Sequence, residues 1–243
     1  GKYYSGYGGQ FMSPGVGRRL AMLVLTDLVS VQLVSLAWPR LRASIRFLTV
    51  DRALYTYYSD NEIPTDRLLV LTGFAAEAIN IHDHYRFRDG LSQLHYLRGM
   101  DIHTPAMERR DAYRTSESEA MESLRQAPAQ SALWLRLATI RWVLRDEPET
   151  IVEPWKMSIF TGRSHSSLYA YRVELGLAFL GYLDQEGRSM LRDQLRLAWK
   201  IRPGTLVQVL ARRDPQLLLT RDLVGNGDPG LVTEMEAWLE RVR

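Results

Sequence analysis

The sequence predicts an all-α protein in which an apolar N-terminal helix precedes an array of helical hairpins. Apolar residues such as Leu68 and Leu71 recur three or four positions apart through most of the chain, which is the spacing of one buried helix face. Pro128 and Gly162 end two apolar segments 34 positions apart, and Pro203 ends a third after a longer gap. A period of 34 residues is the length of one helix-turn-helix repeat.

Composition limits the classes of function. The 243 residues carry a net charge of only +3, with 31 basic and 28 acidic side chains, so the surface is mixed and does not predict nucleic-acid binding. The absence of cysteine excludes disulfides, thiolate metal sites and cysteine nucleophiles. Arginine supplies nearly all of the positive charge. This excess fits either bidentate recognition of anions or, more simply, a high-GC genome.

Residues 1–19 and 20–38 differ sharply. The first segment is rich in glycine and tyrosine and is predicted to be irregular. The second, from Leu20 to Trp38, is an apolar run close to the ~20 residues that span a bilayer. Arginines flank both of its ends and Trp38 closes it, which is the pattern of a membrane anchor.

Two polar residues, Asp27 and Gln32, interrupt the apolar run. A central aspartate costs roughly 2.5–3.5 kcal/mol on insertion scales, so these side chains are predicted to contact a partner within the membrane. The alternative is a buried helix of a soluble domain. Positive charge at both ends leaves orientation undecided, but a short N-terminus before a large domain is the layout of single-span proteins of the bacterial inner membrane. On that analogy the domain is predicted to be periplasmic.

Residues 39–105 are predicted to be helical. A short helix opens near Asp51, a turn covers residues 59–64, and a helix follows Pro64 as far as Ile81. Another helix covers Tyr85 to Arg98. Pro105 then restarts the chain, and a long charged helix continues to residue 126.

Residues 106–243 carry the repeat pattern. After Pro128, the segment containing Trp134, Leu137 and Ala138 resembles tetratricopeptide motifs, in which a small residue lets two antiparallel helices pack closely. Leu175-Gly176 repeats the pair of a leucine and a small residue. The resemblance covers about residues 106–203 and implies a binding or scaffolding role.

The pattern departs from that family in places. Pro148 and Pro154 are expected to interrupt the second helix of the Trp134 unit, and about seven residues are inserted before Pro203. At the C-terminus, Leu231 to Arg243 is predicted to be a capping helix. Its apolar stripe consists of Leu231, Met235, Trp238 and Val242.

A second resemblance concerns residues 127–202. The stretches Ser-Ala-Leu-Trp-Leu-Arg-Leu-Ala and Trp-Lys-Met-Ser-Ile-Phe-Thr-Gly are similar to single-span alphaproteobacterial proteins found with exopolysaccharide genes. That resemblance implies a role in polysaccharide biosynthesis or export. It carries over no catalytic residue.

Two groups of residues are candidates for chemistry. His82, Asp83 and His84 place two imidazoles around a carboxylate, which suits a metal ion only outside a helix, and a polar turn is the simpler interpretation. Trp155 with Lys156 and Arg163 would suit a sugar or an anion if exposed. Aromatic packing at a repeat boundary is the simpler interpretation here, since tryptophan is mostly buried.

The sequence therefore predicts a non-catalytic, membrane-anchored scaffold or adaptor of a bacterial envelope complex, with protein partners, a possible glycan ligand, and neither a cofactor nor nucleic acid. One alternative is an accessory subunit of an energy-converting membrane complex. The other is a soluble metal-dependent enzyme that uses His82, Asp83 and His84.

Overall fold

A computed structural model describes residues 14–59 and 62–242, and this part of the chain is all-α, as predicted. Eleven α-helices and three short 3-10 turns account for its secondary structure, and no strand occurs among the described residues. The helices are α1 (Pro14–Tyr57), α2 (Thr65–Ile81), α3 (Tyr85–Met100), α4 (Ala106–Gln126), α5 (Ser131–Leu144), α6 (Pro148–Thr161), α7 (Tyr169–Ala178), α8 (Gln185–Ile201), α9 (Pro203–Arg213), α10 (Leu218–Val224) and α11 (Pro229–Val242).

Helix α1 differs from the prediction at two points. It begins at Pro14, within the segment predicted to be irregular, and it includes Asp51, where a short helix was predicted to start. The helix passes through Pro39 without a break. Residues 1–13 of the segment predicted to be irregular lie outside the described residues. A helix of 44 residues is about 65 Å long. Proline removes one backbone hydrogen bond, and the packing of the residues beyond Pro39 keeps the helix continuous.

The second half of α1 belongs to the core of the helical domain. Ala43, Phe47, Val50 and Ala53 are buried against α2 and α3. The ring of Phe47 lies 4.8 Å from that of Phe87, measured between centroids. Gly90 makes this approach possible, because a Cβ atom there would lie 2.2 Å from Cζ of Phe47.

The following helices pair into hairpins, α3 with α4 and α5 with α6. Small residues lie where the paired helices approach closely. The hydroxyls of Ser92 and Ser116 each bond to the carbonyl oxygen of the other residue, at 3.0 and 2.7 Å. Gly176 on α7 faces Leu191 of α8, where an added Cβ would lie at 2.6 Å.

Polar links join successive units at similar sequence separations. The hydroxyl of Ser131 lies 3.1 Å from Nδ1 of His165, 34 positions later. Arg114 pairs with Asp146 across 32 positions, and other pairs, Arg163–Asp193 and Arg188–Asp222, span 30 and 34. These links join helix to helix in a regular order along the chain.

Two details of the repeat region differ from the sequence prediction. Pro148 and Pro154 do not interrupt the second helix of the Trp134 unit, since α6 is continuous from Pro148 to Thr161. Pro148 occupies the first turn, where its missing N–H would have no partner in any case. In the final helix Leu231 and Met235 are buried as predicted, and Leu239 completes the buried stripe, whereas Trp238 is 37% exposed.

Candidate functional site

The most unusual surface of the molecule is the first half of α1. Every described side chain from position 22 to 42 is exposed, including Val31 at 68% and Leu36 at 69%. An 18-residue window of this helix has a mean hydropathy of 1.5, and none of it is buried. Soluble monomers rarely expose a continuous apolar patch larger than a few hundred Å². The helix is thus long and apolar enough to cross a membrane, and its first half does not belong to the core of the domain.

Hydroxyl side chains within this segment are satisfied by its own backbone. Thr26, Ser30 and Ser35 donate to the carbonyl oxygens of Met22, Thr26 and Gln32, at 2.8, 2.8 and 2.9 Å. Hydrocarbon offers no hydrogen-bond partner, so such internal pairing suits a helix within a bilayer. The hydroxyls therefore add little to the cost of insertion.

Asp27 and Gln32 lie on different faces of the helix. Five residues at 100° each separate them by about 140° around the axis. Asp27 shares its face with Val31, Val34 and Trp38, which follow at spacings of four, three and four. A shallow cleft of about 450 Å³ lies along this face, between the side chains of Val31, Val34 and Trp38. Within the described part of the chain neither polar side chain has a partner, so each is available to a separate neighbour.

The turns at one end of the helical domain lie beside the exit of this apolar segment. Nε of Arg40, two residues after Trp38, donates to Nε2 of His82 at 3.3 Å. The side chain of Gln126 reaches Asp83 at 3.1 Å, and this contact brings the turn after α4 to the same end. The link between Ser131 and His165 adds residues 162–168. We call residues 82–84, 127–130 and 162–168 the anchor-side rim.

The predicted His-Asp-His candidate lies on this rim as a polar turn. His84 directly precedes α3 and caps its N-terminus. Its ring accepts a hydrogen bond from the backbone N–H of Arg86 at 3.3 Å. Asp83 accepts two bonds from Arg88, at 2.6 and 2.8 Å. The rings of His82 and His84 are 6.1 Å apart between centroids. Among the described residues, no group of three histidine, aspartate or glutamate side chains could hold a metal ion.

Electrostatics support the structural role of this turn. Burial, with His82 and Arg40 nearby, lowers the pKa of His84, so its ring is neutral near pH 7 and can accept the capping bond. The bonds from Arg88 lower the pKa of Asp83, which stays ionised. Asp83 is therefore committed to an ion pair, and the turn lacks a free carboxylate for general-base chemistry.

Trp155, Lys156 and Arg163 do not form one site. Trp155 is fully buried, and its Nε1 donates to the carbonyl oxygen of Arg172 at 2.9 Å. Lys156 bridges Asp184 and Glu186 at 2.8 and 2.9 Å. Arg163 pairs with Asp193, as described above. The structure therefore shows Trp155 packed at a unit boundary. Lys156 and Arg163 each form ion pairs with acidic residues at or near α8.

A further buried side chain, which the sequence analysis did not predict, is that of Arg172. Its guanidinium donates to the hydroxyl and carbonyl of Ser158 at 3.0 and 2.6 Å, to the carbonyl of Gly162 at 3.1 Å, and to Oε1 of Gln194 at 3.0 Å. The two carbonyls belong to the last turn of α6 and its cap, where the helix dipole is negative. Burial lowers the pKa of Arg172 to about 10, so it remains charged and joins α6, α7 and α8.

No family model matches the chain, and no curated protein matches it. The resemblances to tetratricopeptide repeats and to exopolysaccharide-cluster proteins therefore stay predictions.

Proposed function

We propose that this protein is a non-catalytic, membrane-anchored adaptor. In this proposal residues 20–38 cross the bacterial inner membrane, and the helical domain binds partner proteins on the periplasmic side. One observation carries the proposal. A single unbroken helix exposes apolar side chains all round in its first half and supplies Phe47 and Val50 to the domain core in its second half.

A continuous helix would hold the domain in a fixed orientation to the bilayer. A flexible linker would let the domain turn freely, whereas here the ion pairs Arg46–Glu77 and Arg86–Asp51 join α1 to α2 and α3 just after the apolar segment. Arg40 and the anchor-side rim would lie at the level of the lipid headgroups, where arginine and tryptophan are commonly found. Such a geometry suits a protein that presents a surface at a set height above the membrane.

The face of Asp27 is the surface we propose for a partner inside the membrane. A carboxylate in hydrocarbon is stabilised by a neighbouring helix that donates a hydrogen bond or carries the opposite charge. Ser30, one turn after Asp27, is a small residue, and small residues are typical of helix contacts in membranes. Gln32, on another face, would contact a second neighbour.

The test is purification of the full chain from native membranes under mild detergent, with a C-terminal affinity tag. We expect a defined set of membrane proteins to co-purify, and Asp27→Leu to release at least one of them. Gln32→Leu is the matched variant for the other face. A protein that fractionates without detergent and purifies alone would overturn the proposal.

The identity of the partners then distinguishes the pathways. Polysaccharide-export proteins would support the exopolysaccharide resemblance. Pigmented or haem-containing subunits would instead assign the protein to an energy-converting complex.

A further inference from the structure

A groove with three arginines lies at the far end of the helical domain. Helices α3 to α6 alternate in direction, so the turns after α3 and α5 lie opposite the anchor-side rim. With 21 residues, α4 separates the two ends by roughly 30 Å. A lipid headgroup that reaches the rim does not reach this groove.

The groove has a volume of about 490 Å³, and no carboxylate lines it among the described residues. Arg109 and Arg110 of α4 form one wall with Tyr113, and Arg145 and Val143 form the other. Many other arginines of the domain, such as Arg114, pair with a carboxylate. Arg109, Arg110 and Arg145 make no ion pair within the described part of the chain, so an anion would relieve their mutual repulsion.

Arg145 has a backbone conformation that arginine rarely adopts. It caps α5 at φ 59° and ψ 42°, and its N–H donates to the carbonyls of Arg141 and Trp142. Glycine usually occupies this left-handed position, because a Cβ atom raises its energy. Strain of this kind is often retained at functional sites. At this site the left-handed residue is Arg145, and its guanidinium lies between two clefts.

The second cleft is mixed in polarity and has a volume of about 600 Å³. Trp142, Pro148, Ile151 and Phe179 line it, and it shares Val143 and Arg145 with the arginine groove. Asp146 and Glu147 also border it, and Asp146 is held by Arg114 at 2.7 Å. The two ends of the paired clefts therefore differ. The end with the three arginines favours carboxylates, whereas the end bordered by Asp146 and Glu147 does not.

We propose that the two clefts bind an extended acidic segment of a partner protein, with its carboxylates on the three arginines and a neighbouring apolar side chain against Tyr182, which lines the second cleft and is 64% exposed. Arginine forks match carboxylates geometrically. The clefts are joined end to end, and Val143 between them is 46% exposed, which suits a chain that lies across the surface better than an enclosed small molecule. The inference rests on the proposed adaptor function and names the chemistry of its partner.

The test places a photo-reactive benzoylphenylalanine at Val143 of the full chain in native membranes. Irradiation is followed by mass spectrometric mapping of the cross-linked segment. The control position is Tyr171, which is 62% exposed on α7. We expect an adduct at Val143 alone, to a segment with at least two acidic residues and one apolar residue.

The variant Arg145→Gly distinguishes a loss of partner binding from a loss of folding. Because glycine removes the strain, this variant should keep or raise the Tm while adduct yield falls about tenfold, the change expected for ~1.4 kcal/mol of binding free energy. Arg67→Gln is the control, since Arg67 is another exposed arginine without an ion pair near a helix start. It should leave the yield unchanged.

The outcomes are distinguishable. An adduct with lipid, glycan or a non-acidic segment, no adduct at Val143, or a yield unaffected by Arg145→Gly would each overturn this inference. Co-purifying membrane partners without the adduct would leave the adaptor function intact. An acidic adduct from protein that fractionates without membranes would support the groove and overturn the anchor instead.

Discussion

The two halves of α1 show opposite relations between hydropathy and burial. From Met22 to Trp38 the large apolar side chains are 50–69% exposed, although this is the most apolar stretch of the chain. From Pro39 to Tyr57 the helix carries several arginines, yet it contributes Phe47, 2% exposed, to the core. A protein folded in water alone would bury the first half before the second.

This contrast indicates two surroundings along one helix. The second half has one buried stripe, as a surface helix does, and its exposed remainder mixes arginines with apolar side chains such as Leu41 and Ile45. The first half has no polar face at all, and only its backbone and hydroxyl groups are paired internally. Such a helix is stable where the solvent is hydrocarbon.

The largest expected effect comes from making the first half charged. Leu33→Arg with Leu36→Arg places two cations on the face opposite Asp27, and each costs roughly 2.5–3.5 kcal/mol at a helix centre. We expect the protein to leave the membrane fraction after an alkaline carbonate wash, with the helical content of the domain unchanged by circular dichroism.

Phe160→Arg is the matched control, because Phe160 is equally exposed, at 78%, but lies on the domain. That variant should remain in the membrane fraction. Retention of the double arginine variant after the wash would show that the apolar segment does not hold the protein in the membrane.

A smaller effect is expected from truncating the buried half. Phe47→Ala removes a ring packed on Phe87 and should lower the free energy of unfolding of the domain by about 3–5 kcal/mol. Leu33→Ala, the same kind of truncation in the exposed half, should leave it unchanged. Denaturant unfolding in detergent measures both values, and equal effects would contradict the division of α1.

The buried arginine extends the comparison to polar groups. Arg172→Met should destabilise the domain by at least about 2 kcal/mol, because the carbonyls of Ser158 and Gly162 lose their donor in the core. Arg163→Met removes a solvent-exposed ion pair and should have no measurable effect. Thermal unfolding compares the two variants. If Arg163→Met lowered the stability of the domain as much as Arg172→Met, burial would not determine how much stability is lost with an arginine.

Local patterns were sufficient for most helix boundaries. The starts of α2 and α4 after Pro64 and Pro105 and the end of α6 before Gly162 lie where the breakers predicted them. Helix α1 continues through Pro39, because a single lost hydrogen bond is outweighed by packing that is not local in sequence. Because local patterns do not reveal such packing, the helix start predicted at Asp51 is wrong.

The candidate site was only partly predictable. Hydropathy alone found the apolar segment, and the spacing of five already separates Asp27 from Gln32 on a helix. The burial of Trp155 agrees with the simpler interpretation of the sequence, whereas the left-handed conformation of Arg145 depends on tertiary contacts that no local pattern reveals. Arg172 left one clue, since it lies three residues after the buried Tyr169 on the same helix.

The smallest effect we predict is a pH dependence confined to the domain. Burial, with Arg98 nearby, lowers the pKa of His95 to about 4, and its Nδ1 is buried without a hydrogen-bond partner. The unfolded chain binds a proton on this ring near its ordinary pKa of about 6.5. Between those two values the unfolded state holds more protons, so stability falls as the pH is lowered from about 6.5 to about 4.

The total loss should be about 1–3 kcal/mol, since one pKa unit corresponds to ~1.4 kcal/mol. Unfolding in denaturant across this pH range measures it. His95→Gln should flatten the profile, and His103→Gln, at an exposed position, should not. A slope that survives His95→Gln would assign the effect to His84 on the anchor-side rim, whose pKa burial also lowers. The pH-sensitive contact would then lie where the domain meets the exposed half of α1.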